Sequence, residues 1–370
     1  MNLQYPLAAA AVIVLATACK EPVSISPGLG NRPSEQRVAV PAAASDITVM
    51  TQNLYVGADV DAVIRALGTP DPSDDFPALL FAIETVGKTD FPARAQAIAD
   101  QIARRRPHAV GLQEVSRINI DLRPLGVPLV VDQDFLALIQ AALAERGLDY
   151  EVAATSDNIN VSLVGGLVSL VDHDALLVDA DRVSINAASG QSFSLNLGPV
   201  APGVVLIRGW VFARTTIDGR AVTFASAHTE ANLAGAPAGL LEQIRAAQVG
   251  EMVATLATSE PIVLMGDLND VPGSPMYNVL ASTGFADTWT AMHPGVGADG
   301  LTCCHVADLS DQIANFDQRI DYVWTRGFAR DNGTIQGSID RFGNVPADRL
   351  AGPAYAIWPS DHAGLVAELR

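Results

Sequence analysis

The chain has 370 residues, 49% of them hydrophobic and 17% charged, which is typical of a globular protein and argues against disorder. This length suffices for one large α/β domain or two smaller domains. The formal net charge is −18, from 41 acidic and 23 basic residues. Such a field repels nucleic acid and anionic membranes at long range unless a local cation overrides it, so a dedicated DNA-binding protein is disfavoured.

The first segment of the chain has the pattern of a targeting signal. An apolar run of 13 residues from Leu7 to Cys19 is too short for a membrane-spanning helix, which needs about 20 residues. It ends in small residues that fit a signal-peptide cleavage site, and it resembles a bacterial lipobox with Cys19 as the lipidated residue. We predict a signal peptide over 1–18 and a flexible Pro/Gly/Ser-rich tether over 19–45. The protein is then exported, as a cell-envelope lipoprotein or in secreted form; the alternative is a buried N-terminal helix.

Strand-like and helix-like segments alternate from residue 46 onward. The β-branched run DITVMTQNL is followed by FPARAQAIADQIARRRP, whose apolar residues lie on one helical face and which we expect to end at Pro107. The buried strand AVGLQEV comes next. A second unit pairs the helix DQDFLALIQAALAERG, with Gly147 as its C-cap, with the strand LDYEVAAT.

The segment between Ser156 and Gly209 has alternating apolar runs broken by turn residues, which predict hairpins. Its stretch NVSLVGGLVSLV is either a pair of core strands or an exposed apolar hairpin that contacts lipid. The strands VVLIRGWVFARTTI and RAVTFASAH are joined by Asp218-Gly219, a hairpin turn. The helix GLLEQIRAAQVGEMVATLA and the strands PIVLMGDLND, RIDYVWTRG and HAGLVAELR follow. Crossover helices together with hairpins predict a mixed sheet or two stacked sheets with helices outside.

Acids, amides and imidazoles stand where the predicted strands end. Each alone has an ordinary explanation, because Asn and Asp favour turns, but the series suggests a joint site. Its members are Asn53, Glu114, His228, Asp267, Asn269, Asp361 and His362, together with Asp321 inside the predicted strand RIDYVW.

Part of this series has the chemistry of a metal site. Amide and carboxylate oxygens, such as those of Asn53 and Glu114, are the hard ligands that Mg²⁺ prefers. Asp267 and Asn269 are two residues apart, so in extended backbone they face the same side. There the carboxylate could orient a water nucleophile while the amide donates to a phosphoryl oxygen.

The adjacent Asp361 and His362 would point to opposite faces of a strand, so each needs another partner. We expect His362 to pair with Asp321, which would fix the imidazole tautomer and raise the imidazole pKa. A charged imidazole stabilises the negative charge that develops in phosphoryl transfer. Asp361 would then face the metal or the water.

The ordered series TQNL, LQEV, SAH, GDLND, RIDY and SDH resembles the endonuclease/exonuclease/phosphatase superfamily, which has the deoxyribonuclease-I-like fold. The resemblance extends from about residue 47 to the end of the chain, and we place the domain at 46–370. It implies an α/β four-layer sandwich of two mixed β-sheets flanked by helices. It also implies a Mg²⁺-dependent phosphoric ester hydrolase, with Mn²⁺ as a possible substitute.

The resemblance further implies a role for each residue of the series. His228 stands where nuclease and sphingomyelinase members have a second catalytic histidine, a candidate acid toward the leaving group. The implied catalytic residues are His228, Asp267, Asn269, Asp321 and His362, and the implied metal-site residues are Asn53, Glu114 and Asp361.

Several substrate classes stay open. We favour a phosphodiesterase, either a nuclease or a sphingomyelinase/phospholipase C-like enzyme. The alternatives are a phosphomonoesterase on small or inositol phosphates and a catalytically silent exported binding protein with the same fold. The partner is accordingly a nucleic acid, a phospholipid or a small phosphoester, with a membrane tether through Cys19. For Cys303 and Cys304, which precede His305, a structural role is favoured over a metal site.

Overall fold

The structure is a computed structural model that describes residues 46–257, 261–295, 299–328, 330–331 and 334–370. The predicted signal peptide, the tether and Cys19 lie outside the described residues. None of the helices within those ranges is long and apolar enough to cross a membrane.

Strands and helices alternate along the described chain. The helices are α1 (Val60–Leu67), α2 (Asp75–Thr89), α3 (Phe91–Arg105), α4 (Phe135–Glu145), α5 (Leu240–Thr255), α6 (Pro275–Ser282) and α7 (Thr288–Met292). The strands are β1 (Ile47–Asn53), β2 (Ala109–Gln113), β3 (Arg117–Asp121), β4 (Val130–Asp134), β5 (Tyr150–Leu163), β6 (Val168–Asp179), β7 (Ser184–Ser192), β8 (Gly198–Ala201), β9 (Val204–Leu206), β10 (Gly209–Ile217), β11 (Arg220–His228), β12 (Ile262–Asp267), β13 (Ala286–Asp287), β14 (Asp321–Arg326), β15 (Arg330–Asp331), β16 (Thr334–Ile335), β17 (Gly337–Phe342), β18 (Leu350–Ala351), β19 (Ala356–Ile357) and β20 (Gly364–Leu369).

Most of these strands belong to two large mixed sheets. The first has the order β17-β20-β1-β2-β6-β5-β9-β8, with β3 paired to β6 and to β4. The second has the order β13-β14-β12-β11-β10-β7, and the pairs β15-β16 and β18-β19 stand apart. Strands β1 and β2 run parallel, as do β11 and β12. Helices connect the strands of these two pairs, because a parallel pair needs a crossover connection.

Three apolar cores separate four layers. Ile98 of α3 belongs with Val110 of β2 to the core between the helices α1–α4 and the first sheet. Val49 and Phe224 belong to the core between the two sheets. Met252 of α5 belongs to the third core, outside the second sheet. The four-layer sandwich predicted from the sequence is therefore confirmed.

Individual elements match the predictions to different degrees. Helix α3 ends at Arg105, two residues before the predicted stop, because Arg106 already has the left-handed conformation. Asp218 and Gly219 form the expected turn between β10 and β11, with φ of 49° and 77°. The predicted strand VVLIRGWVFARTTI is instead two strands, β9 in the first sheet and β10 in the second. Helices α1 and α2 were not predicted.

The segment NVSLVGGLVSLV forms the tip of the β5–β6 hairpin. Val161 and Val168 are buried in the first core, as expected of core strands, whereas Val171 is exposed. The turn uses Gly165 and Gly166, both with positive φ. The lipid-contacting alternative therefore has only isolated exposed residues in its favour.

The strand register brings the predicted site residues together. Asn53 at the end of β1 lies opposite Gln113, the residue before Glu114. In the second sheet, His228 lies opposite Asp267, which lies opposite Asp321 on its other side. The ends of these strands meet at one edge of the sandwich, where a site can form.

Candidate active site

A cavity of about 470 Å³ lies at this edge. It is lined by six of the eight predicted site residues, namely Glu114, His228, Asp267, Asn269, Asp361 and His362. Asn53 and Asp321 do not line the cavity, but each hydrogen-bonds to residues that do. The structure therefore places all eight in one constellation.

The imidazole of His362 is paired with Asp321. Its Nδ1 lies 2.9 Å from Asp321 Oδ2, which leaves Nε2 directed toward Asp361 Oδ1 at 3.9 Å. Burial disfavours the charged ring, but the anions of Asp321, Asp361 and Asp267 outweigh burial and raise the pKa of His362 well above its usual range. At neutral pH the ring is an imidazolium with an N–H to donate at Nε2.

The neighbouring positions of Asp361 and His362 predicted side chains on opposite faces of a strand, but the structure does not place these two residues in a regular strand. Strand β20 begins at Gly364, so both residues precede it, and both line the cavity. The backbone N–H of His362 donates to Ser360 Oγ at 3.1 Å. This local turn replaces the alternation of a regular strand.

Asp267 and Asn269 also reach the cavity through a turn. Strand β12 ends at Asp267, whose Oδ1 accepts the backbone N–H of Asn269 at 3.0 Å, and Asn269 has a φ of 49°. The shared orientation thus arises from a left-handed residue and not from the extended backbone that the spacing predicted. Burial, and next the Asp321 anion, raise the pKa of Asp267 to about 7.

Asn53 links Glu114 to Asp267 behind the cavity lining. Asn53 Nδ2 donates to Glu114 Oε1 and to Asp267 Oδ2, both at 3.0 Å, while Asn53 Oδ1 accepts the backbone N–H of Tyr55. Glu114 Oε2 accepts the N–H of Val56 at 2.9 Å. The Asn53 amide therefore bridges two carboxylates, and its role as a metal ligand stays a prediction.

The carboxylates of the cavity fit a hard divalent cation. Burial and the Glu114 anion raise the pKa of Asp361 to about 7, although the nearby His362 cation opposes this shift. Buried carboxylates that raise one another's pKa are costly to ionise together unless a cation neutralises them. Carboxylate oxygens are the ligands that Mg²⁺ takes, with water and substrate oxygens completing its shell. Glu114 and Asp361 would hold the ion, with Asn53 beside them.

His228 has surroundings opposite to those of His362. Its Nδ1 lies 3.2 Å from Nη1 of Arg208 and 3.6 Å from Asp174 Oδ1, and its Nε2 lies 3.7 Å from Asp267 Oδ2. Burial, and next the positive charge of Arg208, lower the pKa of His228 well below its usual range. The ring is neutral at pH 7 and carries one N–H that can be donated.

Sequence reasoning missed a group of buried charges around Arg208. Arg208 lines the cavity beside Glu230, with 3.6 Å between Arg208 Nε and Glu230 Oε1. Asp172 and Asp174 of β6 are also buried, and burial followed by the Glu114 anion raises the pKa of Asp172 to about 7. Acids two apart within an apolar strand share one face, and this spacing was the available signal.

The cysteines line the cavity as well, but His305 is turned away from them. His305 Nδ1 lies 2.7 Å from Asp311 Oδ2, its Nε2 lies 3.0 Å from the carbonyl oxygen of Gly343, and its ring stacks on Trp358. The imidazole near the Cys304 sulfur is that of His362, with 4.0 Å between Sγ and Nε2.

The comparisons identify the family to which the chain belongs. The model of the Endonuclease/Exonuclease/phosphatase family matches residues 50–362. The chain therefore belongs to that family, whose members include nucleases, phosphodiesterases and phosphatases. Enzymes of the family typically depend on a divalent metal, and Asp267, Asp321 and His362 form a group that could bind one. No curated protein sequence matches the chain.

Solved structures show the same fold at low sequence identity. An endonuclease/exonuclease/phosphatase family protein from Leptotrichia buccalis is 15% identical with a TM-score of 0.53, over 88% of this chain and 99% of that one. The human Nocturnin catalytic domain is also 15% identical with a TM-score of 0.53, over 88% and 94%. A mannosyl-6-phosphatase from Bacteroides thetaiotaomicron is 17% identical with a TM-score of 0.51, over 88% and 99%. These likenesses establish the fold.

Proposed function

We propose that the chain is a Mg²⁺-dependent hydrolase of phosphoric esters and that it acts on phosphodiesters. The observation that carries this proposal is that one cavity brings three kinds of group together. These are carboxylates suited to Mg²⁺, an acid that can orient water, and an imidazolium. His362 Nδ1 lies 3.9 Å from Asp267 Oδ2, and His362 Nε2 lies 3.9 Å from Asp361 Oδ1.

A Mg²⁺ ion held by Glu114 and Asp361 would supply Lewis-acid polarisation of a phosphoryl oxygen. Asp267 accepts a hydrogen bond from the attacking water and orients it toward phosphorus. The Asn269 side chain and the Nε2–H of His362 donate to phosphoryl oxygens as negative charge develops on them. Asp321 keeps the His362 ring oriented and protonated.

A second group of residues, Arg208, His228 and Glu230, acts on the phosphate and its leaving group. The Arg208 guanidinium neutralises phosphate charge and presents N–H donors in a planar fork that suits phosphate oxygens. His228 has one N–H to donate as a hydrogen bond to the leaving oxygen, but its neutral ring does not hold the proton that the acid role expected from the sequence requires. The Glu230 anion holds Arg208 in the cavity wall.

The cavity lining favours a small substrate over a long polyanion. Among the described residues that line it, Arg208 is the only Arg or Lys, whereas Asp59, Asp61 and Glu230 add negative charge. A nucleic acid chain needs cations along several phosphates, and one guanidinium suits one phosphate. This lining favours a second candidate function, a phosphomonoesterase on small phosphates. One of the solved structures with a similar fold is named as a mannosyl-6-phosphatase.

The test compares substrate classes in one assay format. Full-length protein would be assayed with bis-p-nitrophenyl phosphate, p-nitrophenyl phosphate, plasmid DNA and sphingomyelin vesicles, first in EDTA and then with Mg²⁺ restored. We expect Mg²⁺-dependent turnover of the diester above that of the monoester. Preferential turnover of the monoester would establish the second candidate. Silence on every substrate would contradict the hydrolase proposal.

We also propose that the protein is exported and lipidated at Cys19. The apolar run from Leu7 and the small residues before Cys19 support this assignment. Mass spectrometry of protein expressed in a bacterial host should show a lipid adduct and cleavage before Cys19. An intact residue 1 on the mature protein would contradict the proposal.

A further inference from the structure

The vicinal cysteines are fixed in the cavity wall next to the catalytic imidazole. Cys303 forms isolated antiparallel bridges with Gln318 on one side and with His362 on the other. The preceding Thr302 N–H donates to the carbonyl oxygen of Gln318 at 2.7 Å. Cys303 is buried, whereas Cys304 is exposed, and both line the cavity. The reaction assigned above uses neither sulfur.

The donor atoms of this cluster are arranged like metal ligands. The sulfurs of Cys303 and Cys304 and a ring nitrogen of His362 all lie within 4.8 Å of one another. Cys304 Sγ is 4.0 Å from His362 Nε2. A tetrahedral ion bound at ordinary zinc–sulfur and zinc–nitrogen distances separates such ligands by about 3.6 Å. The distance between Cys304 Sγ and His362 Nε2 is already close to this value, whereas the two sulfurs are bonded to each other and must move apart after reduction.

This donor set differs in kind from the oxygen ligands of the Mg²⁺ site. Two thiolates and an imidazole select soft or borderline cations, whereas Mg²⁺ keeps oxygen ligands. His305 does not compete for the role, because Asp311 and Gly343 already engage both of its ring nitrogens. The carboxylate of Asp361, 3.9 Å from His362 Nε2, adds attraction for a cation.

We propose that reduced Cys303 and Cys304 together with His362 form a binding site for a thiophilic divalent cation such as Zn²⁺ or Cd²⁺, and that this cation inhibits the enzyme. Occupation takes the Nε2 nitrogen of His362 out of the reaction, since a nitrogen that binds a metal carries no proton. The inhibition rests on the proposed hydrolase function, whereas the binding does not.

The site exists only in the reduced protein. The structure pairs the sulfurs of Cys303 and Cys304 as a vicinal disulfide. An added dithiol reductant delivers two electrons and two protons to this bond and is itself oxidised to a disulfide. The cation then replaces the two thiol protons and the Nε2 proton of His362, and all three protons are released to solvent.

The test measures binding and inhibition separately. Full-length protein carrying Cys19→Ser has the pair as its only cysteines. It would be reduced with dithiothreitol, freed of reductant without air, and titrated with Cd²⁺ in excess Mg²⁺. We expect thiolate-to-metal charge-transfer absorption that saturates at one equivalent of Cd²⁺. Turnover should fall about a hundredfold over the same range, because imidazole catalysis is lost.

Two controls identify the ligands. The oxidised protein and the exposed-site variant Cys304→Ser should show neither the absorption nor the inhibition, with each activity normalised to its own value without Cd²⁺. His362→Gln should keep the absorption but bind Cd²⁺ at least about tenfold more weakly, as expected when a ligand is lost. Absence of the absorption from the reduced parent, or equal inhibition of Cys304→Ser, would overturn the proposal. Charge-transfer absorption without inhibition would overturn its inhibitory part and leave the binding site.

Discussion

At the residue scale, the two histidines of the cavity differ in charge because their neighbours differ. His362 is surrounded by the anions of Asp321, Asp361 and Asp267, which raise its pKa despite burial. His228 is buried against the Arg208 cation, which lowers its pKa further. The two shifts therefore favour a charged His362 and a neutral His228 at the same pH, and the proposed reaction gives the two rings different tasks.

Replacing Asp321 should remove the largest favourable influence on the His362 charge. In Asp321→Asn the pKa of His362 falls, so the ring loses its proton at a lower pH than in the parent. As the pH rises, activity that needs the imidazolium is therefore lost at a lower pH than in the parent. The value of kcat also falls about a hundredfold. The measurement is the pH–rate profile, together with an NMR titration of the ring.

The matched control for this variant is Asp311→Asn. Asp311 holds His305 in a similar carboxylate–imidazole pair; His305 lines the cavity, but both of its ring nitrogens are engaged, by Asp311 and by Gly343, and the proposed reaction does not use it. Its replacement should leave the pH–rate profile in place. If both substitutions moved the profile alike, or neither did, Asp321 would not act through the charge of His362.

At the element scale, one buried arginine joins the segments that carry the site. Arg94 of α3 donates to the backbone carbonyl oxygens of Leu54, Tyr55, Thr89 and Pro359. The first two follow β1, and the last lies just before the site residues that precede β20. Burial lowers the pKa of Arg94 to about 10, so the side chain stays charged at neutral pH.

Arg94→Met should therefore destabilise the fold and disturb the site together. Hydrogen bonds to a buried charged group contribute about 1.5–3 kcal/mol each, so we expect the free energy of unfolding to fall by at least about 3 kcal/mol. We also expect kcat to fall in protein that remains folded. Urea unfolding and steady-state kinetics measure both effects. Arg104→Met is the control, since Arg104 is exposed on the same helix; equal stability of the two variants would contradict this role.

The sequence predicted the elements better than their contacts. An apolar strand that ends in a polar residue is a local pattern, so the strand ends at Asn53, His228 and Asp267 could be predicted. Helix α1 has Asp59 as its N-cap and Gly68 as its C-cap, so its signal was present in the sequence and was overlooked. Helix α2 has no side-chain cap, and its pattern was harder to recognise. Arg208 was missed because its place in the cavity depends on how the apolar run VVLIRGWVFARTTI is divided between β9 in the first sheet and β10 in the second. That division is set by packing between distant segments, which no local pattern reveals.

At the scale of the whole molecule, several buried carboxyls couple stability to pH. Burial is the largest cause that raises the pKa of Asp172, Asp267 and Asp361 to about 7 each. The same groups in the unfolded chain have pKa values of about 4. Between these values the folded protein binds more protons than the unfolded one, so stability falls as pH rises. The raised pKa of His362 acts in the same direction, and the lowered pKa of His228 opposes it.

In EDTA the melting temperature should therefore decrease as the pH is raised from 5 to 8. Mg²⁺ should raise the melting temperature more at pH 8 than at pH 5, because the ion binds deprotonated carboxylates. We expect a difference of about 3 °C or more, measured by differential scanning calorimetry. Sodium chloride at matched ionic strength is the control. An equal effect of Mg²⁺ at both pH values would argue against carboxylate ligands of raised pKa.

The central claim is that the chain hydrolyses phosphodiesters with a Mg²⁺ ion held by Glu114. The most direct test is the Mg²⁺ dependence of bis-p-nitrophenyl phosphate hydrolysis by the parent, by Glu114→Gln and by Glu151→Gln, whose glutamate is exposed on β5. The account predicts that Glu114→Gln needs a much higher Mg²⁺ concentration for half-maximal turnover, while Glu151→Gln follows the parent. Half-maximal turnover of Glu114→Gln at the parent's Mg²⁺ concentration would contradict the account.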